Sequence, residues 1–437
     1  MKAHMLLMVL LLLDATVHSV ADVRLPPMQQ DLIRIKKELE KILNGNITPF
    51  WYPQVVDTEH GGYRLNHDIE GNWGGPSDKY LVTQARTVWF FSRLARSKYG
   101  SEEHLQAAKH GYQFLRDRMW DIEFGGFYWA VDSIGEKATI PHKHLYGQSF
   151  GLYALSEYAI ASGDTGAKSL AQELFSTLEF HAHDSAYGGY RESFLRDWTL
   201  PAEDELSPMG SRPDTKLMNT HLHLMEAMTT YYLATRDPVA RERLIELIFV
   251  QSNSVVRKTI GACTDKYQLD WTPLHGTEFD RVSYGHDIEN VWLLIEACDA
   301  AGTSNGPLLD LYRTLFDYSL RYGYDSKSGG FYDSGPINNP ADRRQKVWWV
   351  QAECMVSALD MYYLTRDALY FDCFARMLDW ITKYQADWEN GDWFSSISEA
   401  GEASGSKAGA WKSPYHNGRA VIRCLELLED LIRGGTL

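Results

Sequence analysis

Six short clusters of histidine, arginine, carboxylate and tryptophan recur along this chain. They are Arg86 with Trp89; His144, Tyr146 and Gln148; Asn219, His221 and His223; His286 and Glu289; Trp348, Trp349, Gln351 and Glu353; and Trp411, Tyr415 and His416. Imidazoles move protons near neutral pH because their pKa lies close to it. A guanidinium stabilises a developing oxyanion through directed donors. Indole faces suit the flat apolar side of a pyranose ring. Brought to one place, these groups form the expected lining of a small polar-ligand site. Each residue alone also fits a hydrogen-bonded core, and it is their recurrence that points to a site.

Helical geometry sorts the candidates. Asn219 and His223 are four apart and share a face, whereas His221 points away. His286 and Glu289 are three apart, so the carboxylate is placed to hold the imidazole. Other patterns fail. Gly147-Gln148-Ser149-Phe150-Gly151 matches G-x-S-x-G, but it opens an apolar helix where that motif needs a strand and an α/β sheet. His142/His144, His181/His183 and His221/His223 diverge at i,i+2 on a helix, and neither HExxH, GxGxxG nor a P-loop is present. The sequence thus indicates no metal and no cofactor.

The elements that must position these clusters are legible as a repeat. Gly61-Gly62-Tyr63, Gly125-Gly126-Phe127-Tyr128, Gly188-Gly189-Tyr190, Gly329-Gly330-Phe331-Tyr332 and the weaker Gly391-Asp392-Trp393-Phe394 begin 64, 63, 141 and 62 residues apart. The long gap is two periods, with a degenerate copy expected near Lys266-Tyr267-Gln268, which makes six units. Double glycine before alternating aromatics suits a tight turn entering an extended segment. Between the turns the apolar spacing becomes helical. It predicts outer helices over 28–44, 101–119, 165–182, 238–258, 305–323 and 367–385. Inner helices are predicted over 77–98, 144–162, 213–235, 283–301, 344–365 and 414–433. Inner stretches such as Gly147–Ile160 are nearly apolar all round, whereas Asp31–Leu43 carries a charged face. Twelve alternating helices read as an all-α (α/α)6 barrel, the alternative being an open helical solenoid.

The 437 residues, 44% hydrophobic and 23% charged, are those of a packed globular protein. A net charge of −15 argues against a nucleic-acid or anionic-membrane partner. The apolar run Met5 to Leu13, after Lys2 and His4 and before Ser19-Val20-Ala21, is too short to span a bilayer and reads as a secretory signal over 1–21. The alternative is a short N-terminal helix. With the signal removed, 22–437 is expected to be one secreted or periplasmic domain with no membrane segment. Five cysteines, an odd number and none close in sequence, read as buried small hydrophobes. Asn46-Ile47-Thr48 is a glycosylation acceptor pattern.

In Arg86-Thr-Val-Trp89, His144-Leu-Tyr-Gly-Gln148, Met218-Asn-Thr-His-Leu-His223, Tyr284-Gly-His-Asp-Ile-Glu289, Trp348-Trp-Val-Gln-Ala-Glu353 and Trp411-Lys-Ser-Pro-Tyr-His-Asn417 the chain resembles the cellobiose 2-epimerases of the N-acylglucosamine 2-epimerase superfamily. The resemblance spreads over nearly the whole chain after residue 21. It implies an (α/α)6 barrel and inversion at C2 of the reducing-end glucose of β-1,4-linked disaccharides, with no cofactor. It implies His286 and His416 as the general acid/base pair. Arg86, Tyr146, Asn219, His223 and Glu289 are implied to hold the reducing sugar and help open its ring, and Trp348, Trp349 and Trp411 to act as stacking platforms. The long 195–213 loop is expected to shape the rim where the second sugar lies. Rival readings are an aldose–ketose isomerase on mannose-like sugars, an N-acylglucosamine 2-epimerase, an (α/α)6 glycosidase using two opposed carboxylates, and a sugar-binding protein.

Overall fold

The charged stretch after Met28 forms the first outer helix because Leu32, Ile35, Leu39 and Ile42 make one buried stripe. The structure is a computed structural model and describes residues 27–434, so the expected export signal over 1–21 lies outside the described residues. Within them, twelve long helices alternate between two rings. They run α1 (Gln29–Ile42), α2 (Leu81–Arg96), α3 (Glu102–Phe114), α4 (Leu145–Ser162), α5 (Thr165–His181), α6 (Met218–Thr235), α7 (Pro238–Phe249), α8 (Tyr284–Ala301), α9 (Leu309–Gly323), α10 (Trp348–Thr365), α11 (Ala368–Trp380) and α12 (Tyr415–Ile432). Odd-numbered helices are outer and even-numbered inner. Each inner helix packs on the next, and α12 packs on α2, which closes the ring as an (α/α)6 barrel and rules out the open solenoid. Apolar character all round follows: α4 is buried continuously from Leu145 to Ala159 and α10 from Val350 to Tyr362.

Inner helices begin up to five residues later than their apolar patterning predicts, because the preceding residues pair as strands. Lys79–Tyr80 pairs with Ala130–Val131, Lys143–His144 with Ser193–Phe194, and Thr215–Leu217 with Lys266–Gln268. Arg281–Ser283 pairs with Ser334–Pro336, and Lys346–Val347 with Ser396–Ile397. Each ladder joins the residues before one inner helix to those after the next unit's turn. The His67–Ala408 bridge closes this belt around the N-terminal mouth of the inner ring.

The double-glycine turns are clamped from below. Gln84 accepts from Tyr63 N–H at 2.9 Å and donates to Tyr63 C=O at 2.9 Å, and Gln148 and Gln351 repeat this on Phe127 and Phe331. A Cβ on Gly62, whose φ is +65°, would lie 2.6 Å from Gln84 Oε1. An aspartate in each turn is paired with a lysine before the inner helix: Asp57–Lys79, Asp121–Lys143, Asp184–Lys216, Asp325–Lys346 and Asp387–Lys407. The fourth unit departs from this. Its turn is Gly261-Ala262-Cys263, where Val256–Arg257 pairs with Ala262–Cys263. The expected copy near Lys266–Gln268 is therefore misplaced, because this unit has neither a second glycine nor an aromatic after its first glycine. Those residues instead form the strand after the turn. Arg257 and Val282 stand where the other units have aspartate and lysine, and Asp287 takes the glutamine's place on Cys263 N–H at 3.0 Å.

All five cysteines are free and buried. Asn46 is buried and its amide donates to Asp387 C=O at 2.7 Å, so the acceptor pattern lies where a glycan has no room. No helix among the described residues is long and apolar enough to cross a membrane.

The clamp makes a measurable prediction. Asp325 is held down at about 2: burial alone would raise it, but Lys346 and the Ser328 and Lys327 N–H groups outweigh burial. Lys346→Met strands that carboxylate and should cost about 3 kcal/mol in urea unfolding at pH 7. Lys327→Met, on an exposed side chain of the same turn, should cost under about 0.5 kcal/mol.

Candidate active site

The belt leaves the first turns of the inner helices around one cavity of 340 Å³. Its wall is Arg86 from α2, Tyr146 from α4, Asn219 and His223 from α6, His286 from α8, and Trp348 and Trp349 from α10. Trp411 and His416 come from the entry to α12, and Met209 from the 195–213 loop. Nine of the ten residues expected at a site are thus brought together. The tenth, Glu289, is fully buried below the wall, and its carboxylate accepts from Arg419 at 2.7 Å. The expected His286–Glu289 hold does not form. Instead His286 packs on Trp349 with ring centres 4.6 Å apart, and the same indole lies 5.8 Å from the His416 ring.

Arg86 reaches the cavity with both terminal nitrogens oriented. Nη2 donates to Tyr146 OH at 2.9 Å and Nη1 to Trp411 C=O at 3.2 Å. The guanidinium plane rests over Phe150 at 4.2 Å and Tyr415 at 4.7 Å. The buried Oδ1 of Asn219 has no protein partner, and the residue lines the cavity.

Beneath the wall lies an ion network that sequence reasoning largely missed. Arg419 Nη2 donates to Glu353 at 2.8 Å as well as to Glu289, and its Nη1 donates to Glu226. Glu353 Oε1 is 2.7 Å from His416 Nδ1, and Trp292 Nε1 donates to its Oε2 at 2.9 Å. Glu226 Oε2 is 3.0 Å from His223 Nδ1 and accepts from Tyr415 OH at 2.5 Å. Both histidines are therefore gripped at Nδ1 from below, which leaves Nε2 for the cavity. Arg419 and Glu226 sit three residues after His416 and His223. Glu226 stands out as the one carboxylate or cationic side chain of α6 besides its histidines, whereas Arg419 shares α12 with Arg423, Glu426, Glu429 and Asp430 and is marked only by its spacing from His416. Glu289, Glu353 and His416 have ligand atoms within 4.8 Å of one another. The Arg419 guanidinium already supplies the cation between those carboxylates, so the cluster is an ion network in its own right.

Burial sets the protonation states. It lowers His286 to about 4, with the Arg86 charge adding to the effect, and lowers His416 well below the ordinary imidazole range for the same reasons, aided by His286. Burial also raises Glu353, reinforced by Glu289 and opposed by Trp292 and Arg86. Glu353 is thus the group whose proton burial favours, one hydrogen bond from His416.

Several clustered residues serve the scaffold instead. Gln148 and Gln351 clamp turns, and His221 does the same by accepting from Tyr190 N–H at 3.0 Å. His144 caps α4 by accepting from Tyr146 N–H. Ser149 Oγ donates to Leu145 C=O at 2.8 Å inside α4, as the failed G-x-S-x-G reading requires. Trp89 lines a different cavity. A hollow of 280 Å³ at the fourth unit, between Asp265, Arg281 and Arg343, shares His286 and Trp349 with the main cavity.

A family model described as N-acylglucosamine 2-epimerase (GlcNAc 2-epimerase) matches residues 61–420. The cellobiose 2-epimerase of Bacteroides fragilis is 33% identical over 404 residues, covering 91% of this chain and 99% of its own. That of Ruminococcus albus is 34% identical over 400 residues, covering 90% and 97%. The solved cellobiose 2-epimerase of Bacillus thermoamylovorans B4167 superposes with a TM-score of 0.83 at 30% identity, over 90% of this chain and 99% of that one.

Removing the buried cation tests the network. Arg419→Met leaves Glu226, Glu289 and Glu353 uncompensated and should lower stability at pH 9 by about 3–5 kcal/mol. Protonation removes the uncompensated charge, and burial raises Glu289 to about 8, so the deficit should shrink as the pH falls from 9 to 7. Thermal unfolding across that range measures both.

Proposed function

The chain is a carbohydrate epimerase that belongs to the N-acylglucosamine 2-epimerase family, and we propose that it inverts C2 of the reducing-end hexose of β-1,4-linked disaccharides by two-histidine proton transfer. The observation that carries this reading is the meeting of His286 and His416, from different helices, on one cavity beside Arg86. In the open-chain sugar, C2 is α to an aldehyde and its proton is weakly acidic. One imidazole removes it, and negative charge develops on O1 of the enediolate. The Arg86 guanidinium donates to that oxygen. The second histidine returns a proton to the opposite face, with the Glu353 carboxyl as its reserve. Epimerisation needs two such groups, since one base alone returns the proton to the face it came from. His223, held by Glu226, and Tyr146 are placed to assist ring opening. Trp348 and Trp349 line the wall for the reacting ring, and Trp411, 45% exposed at the mouth, offers its face to the second sugar. With 1–21 as an export signal, the substrate is met outside the cytoplasm.

Incubation with cellobiose in deuterated water, followed by product NMR, tests the reading. The expected product is glucosyl-mannose carrying deuterium at C2, and a ketose product would assign an aldose–ketose isomerase instead. His286→Ala and His416→Ala should each retain the fold and lose about 10²–10⁴-fold in turnover. Ordinary activity in either variant sinks the assignment. The pH profile follows from the depressed imidazoles. A histidine base works when neutral, so on the acid side activity is lost as the pH falls through its lowered pKa. The kcat/KM should stay level from about pH 8 to 6, with its acid limb below about 5. A limb centred near 6.5 would contradict the burial described.

A further inference from the structure

We propose that the opposite mouth of the barrel is a second ligand site, for a neutral polyhydroxylated molecule of monosaccharide size. A cavity of 530 Å³, larger than the reaction cavity, opens among the C-terminal halves of the inner helices. Trp89, Arg93 and Arg96 on α2 and Tyr153, Glu157 and Ile160 on α4 line it at i, i+4 and i+7, so each helix presents one continuous face. At its deep end Trp89 and Tyr153 stack with ring centres 5.0 Å apart and planes 23° from parallel. Both rings contact Tyr415, at 5.6 and 6.2 Å, and these three rings form the floor between the two cavities.

Two features point to a ligand. The Trp89 indole N–H has no partner although the residue is only 3% exposed, and burying such a donor is costly unless something accepts from it. Above it three ion pairs stand at the wall: Arg96–Glu157 at 2.7 Å, Arg93–Glu426 at 2.6 Å and Arg423–Asp360 at 2.9 Å. Matched pairs keep donors and acceptors at the wall without demanding a charged guest. Aromatic floor, unpaired donor and paired ionic wall together describe a site for a ring bearing several hydroxyls. Arg236 at the rim has no carboxylate partner among the described residues, which makes a small anion the competing occupant.

The test uses indole ¹H–¹⁵N NMR of the whole chain, with the Trp89 resonance assigned through Trp89→Phe. The probe is methyl β-D-glucopyranoside, whose blocked anomeric carbon prevents ring opening and hence reaction. Inorganic phosphate is titrated in parallel. The expected result is a saturable shift of the Trp89 signal with the glucoside. It should persist in Trp349→Ala, which disables the reaction cavity, and weaken about tenfold in Glu157→Gln, as loss of one charge-assisted hydrogen bond implies. Leu233→Trp should abolish it by filling the mouth from a position that is 41% exposed and so tolerant of change. No saturable shift, a shift with phosphate alone, or a shift lost in Trp349→Ala but kept in Leu233→Trp overturns the proposal.

Discussion

One buried guanidinium holds the chemistry of this barrel in place. Arg419 leaves α12 and meets carboxylates from α6, α8 and α10, so a single cation ties four of the six inner helices together directly under the cavity. Taking that charge out of water is expensive, and three acids around it offset the cost only because the hydrogen bonds are directed. The same arrangement fixes two imidazoles by their Nδ1 atoms. Rigid placement of those rings is therefore a property of the ion network and not of the cavity wall.

The burial that makes the network costly also tunes it. In this low-dielectric setting neutral forms are favoured, so the imidazoles lie below their usual range and Glu353 above its own. Bases that stay unprotonated near neutral pH, next to a carboxyl group whose proton burial favours, give a proton-transfer site without recourse to unusual residues. The price is vulnerability: the charges depend on one another, and removing the central one exposes all three acids.

Much of this was legible in the residue order. Apolar periodicity located every long helix, because a ring covered on both faces leaves little freedom in the inner pattern. Double glycines marked four of six turns and Gly391-Asp392 a fifth, since positive φ lets the backbone meet Gln84 and its counterparts so closely. The inner helix starts were set early, because two- and three-residue strands carry no periodic signature. Nine expected residues reached the cavity, but His221, Gln148 and Gln351 did not, because a polar residue at an inner helix start serves the turn clamp as readily as a ligand. Arg419 and Glu226 are not legible as a pair, because a charge on an inner helix reveals nothing of its partners until the helices are assembled.

Regularity elsewhere gives the fourth unit its meaning. Five turns are locked by lysine and aspartate, and the one that is not, with Arg257 and Val282 in those places, borders the hollow that opens beside His286 and Trp349. A ring of six equal staves would have no preferred azimuth, and an elongated guest lowered into it could settle along any of six bearings. Wall residues that differ between helices already break that degeneracy, and the missing lock adds a difference in the shape of the rim. It notches the rim at a single compass point and so gives a rotationally repetitive scaffold a front.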